Sequence, residues 1–234
     1  MNIVITGAGK GMGKAMADIF ASADNTIFIC SRTGAELMKT AKEIESNHKG
    51  SVVKYLAIDL SKKEGVKEFA DWILKQISHV DILINNAGIF FPGSIYNEEE
   101  GVLEKTIDIN LYSAYHLTRA LLPTMMKKKS GHIFNICSIA SLNAYQNGGS
   151  YSISKYALMG FSKNLREEMK PYSIKVTAVY PGAVYTDSWA GSGVDPKRMM
   201  EVNDIALLIY TASKLSAQAC VEDIIIRPLP GDLP

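Results

Sequence analysis

Cysteine is scarce in this chain. Cys30, Cys137 and Cys220 are odd in number and far apart, so they make no disulfide framework, and 234 residues must fold around an apolar core instead. Cys30 and Cys137 lie in apolar runs that read as strands, which predicts buried, reduced thiols of the kind found in cytosolic proteins. Net charge is almost absent. Lys and Arg number 25 against 24 Asp and Glu, giving +1, and such a balance offers nothing for nucleic acid or an anionic membrane. The one basic cluster, Lys127-Lys128-Lys129, stands before Ser130-Gly131 and reads as the solvated C-terminus of a helix. No apolar run is long enough to cross a bilayer and no leader-like stretch precedes the first strand, so a soluble, cytoplasmic protein is expected. His48, His79, His116 and His132 lack ligand spacing; no metal site is expected, and these histidines belong at the surface or at strand ends. Repeats, low-complexity tracts and Pro/Gly/Ser linkers are missing too, which predicts one domain over residues 1–234.

What the chain does have is a regular alternation of two periods. Apolar, β-branched runs at 1–6, 26–30, 52–58, 81–85, 132–137, 173–179 and 223–226 read as strands. Amphipathic stretches at 14–23, 35–46, 62–77, 98–126, 150–170 and 203–215 read as helices. Strand–helix alternation of this kind builds a Rossmann-type, doubly wound parallel sheet of about seven strands in an α/β fold, with helices on both faces. Residues 181–199 are the least regular stretch, with three glycines, two prolines and Trp189, and form a candidate lid or substrate loop.

Ligands of doubly wound sheets bind beyond the C-terminal ends of the strands. Polar residues interrupt the apolar runs at those ends. They are Thr6-Gly7, Ser31-Arg32, Asp59, Asn85-Asn86-Ala87-Gly88, Ser138 and Pro181-Gly182. Each alone could be a helix cap or a turn former, but six at one sheet edge call for another explanation. After the first strand comes Gly7-Ala8-Gly9-Lys10-Gly11-Met12-Gly13, and then a helix. Strand, glycine turn and helix N-terminus together suit a dinucleotide pyrophosphate, which the free N–H groups and the positive dipole end attract. Tyr151 and Lys155 are four residues apart and share one helix face. An ammonium beside a phenol favours the phenolate, so the Tyr151 pKa is expected to fall from about 10 toward neutrality.

In order, Thr6-Gly7-x-x-x-Gly11-x-Gly13, Asp59, Asn85-Asn86-Ala87-Gly88, Asn110, Ser138, Tyr151-x-x-x-Lys155 and Pro181-Gly182 with Thr186 resemble the short-chain dehydrogenase/reductase family along essentially the whole chain. The resemblance implies an oxidoreductase that transfers hydride between NADP(H) and a carbonyl compound. It makes Tyr151 the proton donor in reduction and Ser138 the hydrogen-bond donor to the substrate oxygen. Lys155 would hold the nicotinamide ribose and depress the Tyr151 pKa, and Asn110 would support a water in the proton relay. It gives the cofactor Gly7, Gly9, Lys10, Gly11, Met12, Gly13, Ser31, Arg32, Asp59, Leu60, Asn86, Ala87, Gly88, Pro181, Gly182, Val184 and Thr186. NADPH is expected over NADH, because Ser31-Arg32 occupies the place where an NAD site carries an acid, and Lys10 lies in the nearby turn.

The glycine turn, the stretch from Pro181 through Thr186 to Trp189, and the tail 221–228 resemble more narrowly the bacterial sepiapterin reductases of that family. A planar pterin-like substrate would meet Tyr145, Tyr185, Trp189 and Phe91, with Asp232 as an acceptor should the tail fold back. Other readings on the same motifs are a 3-oxoacyl carrier-protein reductase, a general carbonyl reductase, a non-catalytic NADP-binding regulator, and a sugar-nucleotide epimerase or dehydratase. Surplus apolar residues on the helical stretches 103–126 and 151–169 predict a homodimer or homotetramer.

Overall fold

The computed structural model describes every residue except Ala23, Ala190, Ser192 and Pro234. Ala23 of the expected helix 14–23 and part of the expected loop 181–199 lie outside the described residues; the helix itself starts earlier and stops sooner than expected, running Gly11–Ile19 with Phe20 as its cap. The strands are β1 (Asn2–Thr6), β2 (Thr26–Ser31), β3 (Val52–Ala57), β4 (Ile82–Asn85), β5 (Gly131–Ile136), β6 (Ile174–Pro181) and β7 (Asp223–Ile226). All pair in parallel, in the order β3-β2-β1-β4-β5-β6-β7. The order reverses between β1 and β4, so a crevice opens beyond the C-terminal ends of these two strands.

Side chains on a strand alternate between the two faces of the sheet, and the sequence supplies an apolar residue for both. Ile3, Ile5, Ile27 and Ile29 pack on one side with Met16 of α1 (Gly11–Ile19), Leu37 of α2 (Gly34–Asn47) and Ile205 of α7 (Val202–Ser213). Val4, Phe28, Cys30 and Ile133 pack on the other. Their partners there are Phe69 of α3 (Lys63–Leu74), Leu117 and Leu121 of α5 (Ser113–Lys128), and Leu165 of α6 (Gly149–Met169). Each of these large side chains contributes about 1.5–3 kcal/mol by leaving water.

The helix expected over 98–126 is interrupted. Gly101 has φ 83° and precedes α4 (Val102–Ile107), a π turn follows over Asp108–Tyr112, and only then does α5 begin. A π turn carries one residue more than an α-helical turn. Hydrophobic spacing conceals such an insertion, because the apolar pattern resumes after it. The expected sixth strand extends to Pro181, which pairs with Ile226. At the other end of α5 the basic cluster is only partly solvated. Lys129 adopts φ 51° as the helix cap, and Lys128 Nζ stands 2.6 Å from Asp81, just before β4.

The thiols of Cys30 and Cys137 are buried, as expected, and Cys220 is exposed. His132 stands near the start of β5, a strand-end position as expected, but it is buried there, bonds Thr177 Oγ1 through Nε2 at 2.7 Å, and stacks on Phe134. Burial, with a smaller contribution from Lys175, lowers its pKa to about 3. Above pH 6.5 the ring is neutral in both the folded and the unfolded chain. Below that value the unfolded chain takes up a proton that the folded chain refuses, so stability drops as pH falls from about 6.5 toward 3. Urea denaturation at pH 7 and pH 5 should show the wild type losing about 1–2 kcal/mol more than His132→Gln over that interval.

Candidate active site

Helix α6 carries Tyr151 and Lys155 one turn apart. Lys155 is almost completely buried and donates from Nζ to Ile136 O, the last carbonyl of β5, at 2.8 Å. Burial lowers its pKa to about 8, with the Cys137 thiol pulling slightly the other way. Its ammonium lies 5.7 Å from the centroid of the Tyr151 ring. The expected fall of the Tyr151 pKa is not seen. Burial raises it above 10, and the opposing influence is the neighbouring Ser138 hydroxyl rather than Lys155. Removing a phenolate from water outweighs an ammonium that is itself desolvated and directed at a backbone carbonyl. At neutral pH Tyr151 is a protonated phenol, the form that can give a proton away.

Ser138 follows β5 and opens a short 3₁₀ turn, Ile139–Ser141. Its Oγ accepts from Ala140 N at 3.1 Å, and its own N–H donates to Ser141 Oγ at 3.2 Å. These bonds hold its hydroxyl toward Tyr151. Asn110 stands in the middle of the π turn, buried, with its amide fully engaged. Nδ2 donates to Ile89 O at 3.0 Å and to Ser154 Oγ at 2.9 Å, and Oδ1 accepts from Ile89 N at 2.8 Å. Ser154 Oγ donates in turn to Tyr151 O at 2.7 Å. Asn110 is thus wired to the first turn of α6, a contact that motif reading did not foresee. Gly88 keeps the intervening space open, since a Cβ there would lie 3.3 Å from Asn110 Oδ1 and 3.5 Å from Lys155 Nζ. Asn135 and Ser162 were also missed. They continue a buried polar chain from Asn85 Nδ2 through Asn135 to Ser162 Oγ. In the sequence they look like ordinary polar residues within apolar segments.

The glycine turn is packed against the end of β4. Thr6 Oγ1 accepts from the backbone N–H of both Asn86 and Ala87 at 2.9 Å, and Asn86 Nδ2 donates to Thr6 O and Gly7 O. A Cβ on Gly13 would stand 2.7 Å from Ala8 Cα and closer still to Gly7 O, so only glycine fits. Gly7 and Gly11 have positive φ, 65° and 57°. The Thr186 methyl lies over Gly11, 3.4 Å from where a Cβ would be. Ser31 Oγ sits beside Gly9 and is one of the buried polar atoms without a hydrogen-bond partner among the described residues. A cradle of tight glycines, helix N–H groups and an orphaned hydroxyl fits a dinucleotide.

Several expected cofactor residues sit differently from one another. Met12 packs partly against the core, and Leu60 and Val184 bury their side chains in it, so the latter two can offer only backbone to a ligand. Asp59 is exposed, and the N–H of Ser61 bonded to its carboxylate lowers its pKa. Lys10 pairs with Asp187 at 3.1 Å and reaches Glu36 at 4.0 Å, so it does not stand as an uncommitted partner of Arg32. Sequence reading overlooked these two carboxylates. Arg32 is exposed, with no carboxylate at ion-pair distance among the described residues.

Beyond Tyr151, the cleft is bordered by Phe90, whose ring meets that of Tyr151 edge-on at 4.9 Å. Tyr145 is half-exposed, and its hydroxyl is held up at a pKa of about 12 by burial and by Tyr151. Trp189 ends a 3₁₀ turn over Asp187–Trp189 and is partly exposed. The tail does fold back. Gly182 N–H donates to Ile226 O, and a Cβ at Gly182 would touch Pro228 and Asp232. The Asp232 carboxylate is already paired with Arg227.

The short chain dehydrogenase model matches residues 1–196. The chain belongs to that family. A sepiapterin reductase from Chlorobaculum tepidum is 33% identical over 99% of this chain and 97% of its own length. A metagenomic short-chain oxidoreductase solved in complex with NADP superposes with a TM-score of 0.85, at 29% identity, over 97% of this chain and 96% of that one. An alcohol dehydrogenase from the archaeon Thermococcus sibiricus, complexed with 5-hydroxy-NADP, gives a TM-score of 0.91 at 26% identity, over 100% of this chain and 98% of that one. Membership makes the protein an oxidoreductase built on a Rossmann-type sheet. Among the described residues no helix is long and apolar enough to cross a membrane, and no three metal-ligating side chains cluster.

For this short-chain dehydrogenase, Gly13→Ala should weaken NADPH binding more than tenfold in a fluorescence titration while the sheet remains folded by circular dichroism. A variant that binds normally would show that the turn can open without cost.

Proposed function

We propose that this short-chain dehydrogenase is an NADPH-dependent carbonyl reductase in which Tyr151 gives the proton. The observation that carries the reading is the convergence of Ser138 and a protonated Tyr151 at one point, backed by the buried ammonium of Lys155. A bound nicotinamide supplies the hydride. The carbonyl oxygen then gains negative charge, and the chain has two donors for it: the Ser138 hydroxyl, fixed by Ala140 and Ser141, and the Tyr151 phenol. Lys155 adds positive charge behind the phenol and would hold the ribose hydroxyls. Asn110 keeps Ile89 and Ser154 in place around both.

Tyr151→Phe keeps the ring and its contact with Phe90, so turnover should drop toward background while NADPH binding stays within about twofold. The pH profile has a defined sign. Lys155 is charged below its pKa of about 8 and neutral above it, whereas the Tyr151 phenol stays protonated through that range. The kcat/KM for reduction should therefore decline above about pH 8. A profile flat past about pH 9, or an active Tyr151→Phe, would overturn this mechanism.

NADPH is the preferred coenzyme in this reading. Arg32 presents an exposed guanidinium at the end of β2 and suits a dianionic phosphate. The substrate is a compact planar carbonyl compound, with a pterin such as sepiapterin foremost. The reading is supported by the partly exposed rings of Phe90, which meets Tyr151 edge-on, of Tyr145, and of Tyr185 and Trp189, which follow the Pro181-Gly182 turn in sequence. An assay of sepiapterin against an acetoacetyl thioester, with each coenzyme, tests both assignments. Sepiapterin with NADPH should give the highest kcat/KM, Arg32→Asp should shift preference toward NADH, and Trp189→Ala should impair pterin turnover. Higher efficiency on the thioester would favour the carrier-protein reductase reading.

A further inference from the structure

The geometry points to Glu98 as a positioning residue that sets the first turn of α6, and with it Tyr151; this rests on the reading of Tyr151 as proton donor. Helix α6 has no side-chain cap of its own, since its N-terminal flank is Gly148. The Glu98 carboxylate fills that role from a distant segment, the connection 89–101 between β4 and α4. Oε1 accepts from Ser150 N at 2.8 Å, and Oε2 accepts from Ser150 Oγ. Ser150 is buried and immediately precedes Tyr151. An anion at the start of a helix satisfies a free N–H and complements the dipole.

The approach is built for this contact. A Cβ at Gly149 would lie 2.7 Å from Glu98 Cδ and 2.5 Å from Gly93 O, and one at Gly93 would lie 2.8 Å from Glu98 Cγ. Glycine at both positions is what lets the carboxylate reach Ser150. Around it, Gly93 N donates to Asn147 O at 3.2 Å, and Ser94 Oγ donates to Asn147 Oδ1 at 2.7 Å. At the other end of the same connection, Asn110 holds Ile89 by both its N–H and its C=O. Phe90, next in the chain, lies edge-on against Tyr151. The connection is thus held on both sides of Phe90 in sequence, by Asn110 at Ile89 and by Glu98 at Ser150. Glu99 and Glu100, the neighbours of Glu98 in sequence, are exposed.

Positioning of this kind acts on the chemical step, because a small misplacement of the acid costs rate and leaves the coenzyme site intact. In the folded holoenzyme Glu98→Ala should lower kcat about 10–100-fold with the Kd for NADPH within about twofold. Glu98→Gln keeps an acceptor for Ser150 N and should recover most of the loss. Ser150→Ala keeps the backbone N–H bond to Glu98 and loses only the Oγ bond, so it should lower kcat less than Glu98→Ala does, and the double variant should be no worse than Glu98→Ala alone, which already removes both bonds. If Glu98→Ala does not fold, Ser150→Ala carries the comparison, and a wild-type kcat in Ser150→Ala would overturn the proposal. So would an unchanged kcat in folded Glu98→Ala, multiplicative losses in the double variant, or a parallel loss of NADPH affinity. An inactive Tyr151→Phe beside a fully active Glu98→Ala removes only this inference, whereas an active Tyr151→Phe removes the mechanism beneath it.

Discussion

Lys155 must keep an ammonium inside the protein, and much of the architecture serves that need. A buried charge is tolerated only with partners. Its acceptor is the last carbonyl of β5, a strand that parallel pairing to β4 and β6 holds rigid. The helix that carries it is secured at several heights. Ser150 meets Glu98 at the start, Ser154 meets Asn110 one turn later, and Ser162 meets Asn135 further on. Near the far end Arg166 donates to Val176 O at 3.0 Å and pairs with Glu222 and Asp223. Each contact joins the helix to a different segment of the chain.

The crevice between β1 and β4 has a similar logic. Thr6 bonds the backbone beyond β4, and Asn86 bonds the carbonyls of Thr6 and Gly7 at the end of β1, so the two strand ends on either side of the topological reversal are tied together. Glycine is required where these backbones come closest. In the proposed mechanism this crevice would take the coenzyme, with Tyr151 as the proposed proton donor.

Electrostatics at the site came out opposite in sign to a simple pair argument. Proximity of Lys155 predicts a lowered Tyr151 pKa, but burial raises it and lowers that of Lys155. Desolvation acts on each group separately and grows with the number of atoms packed around it, a quantity that sequence spacing does not contain. Lys10 shows the same limit. Asp187 and Glu36 come from distant parts of the chain, and they draw Lys10, expected at the coenzyme phosphate, into an ion-pair cluster that its spacing did not announce.

The strand runs, the glycine turn, Ser138 and the Tyr151/Lys155 pair were legible in the residues, because each rests on local spacing: period two, period 3.6, or a turn that only glycine permits. The parallel α/β fold follows from that alternation. The π turn that carries Asn110 was hidden, since one inserted residue leaves the apolar pattern nearly intact on either side. Glu98, Asn135, Ser154 and Ser162 were hidden for a different reason: their partners are far away in sequence, and a polar residue announces its role only once its partner is in place. Local period and turn chemistry were determined by the sequence alone. Which charges are desolvated, which polar groups meet, and how firmly Tyr151 is held were decided by tertiary packing, because burial and long-range hydrogen bonds exist only after the chain has closed on itself.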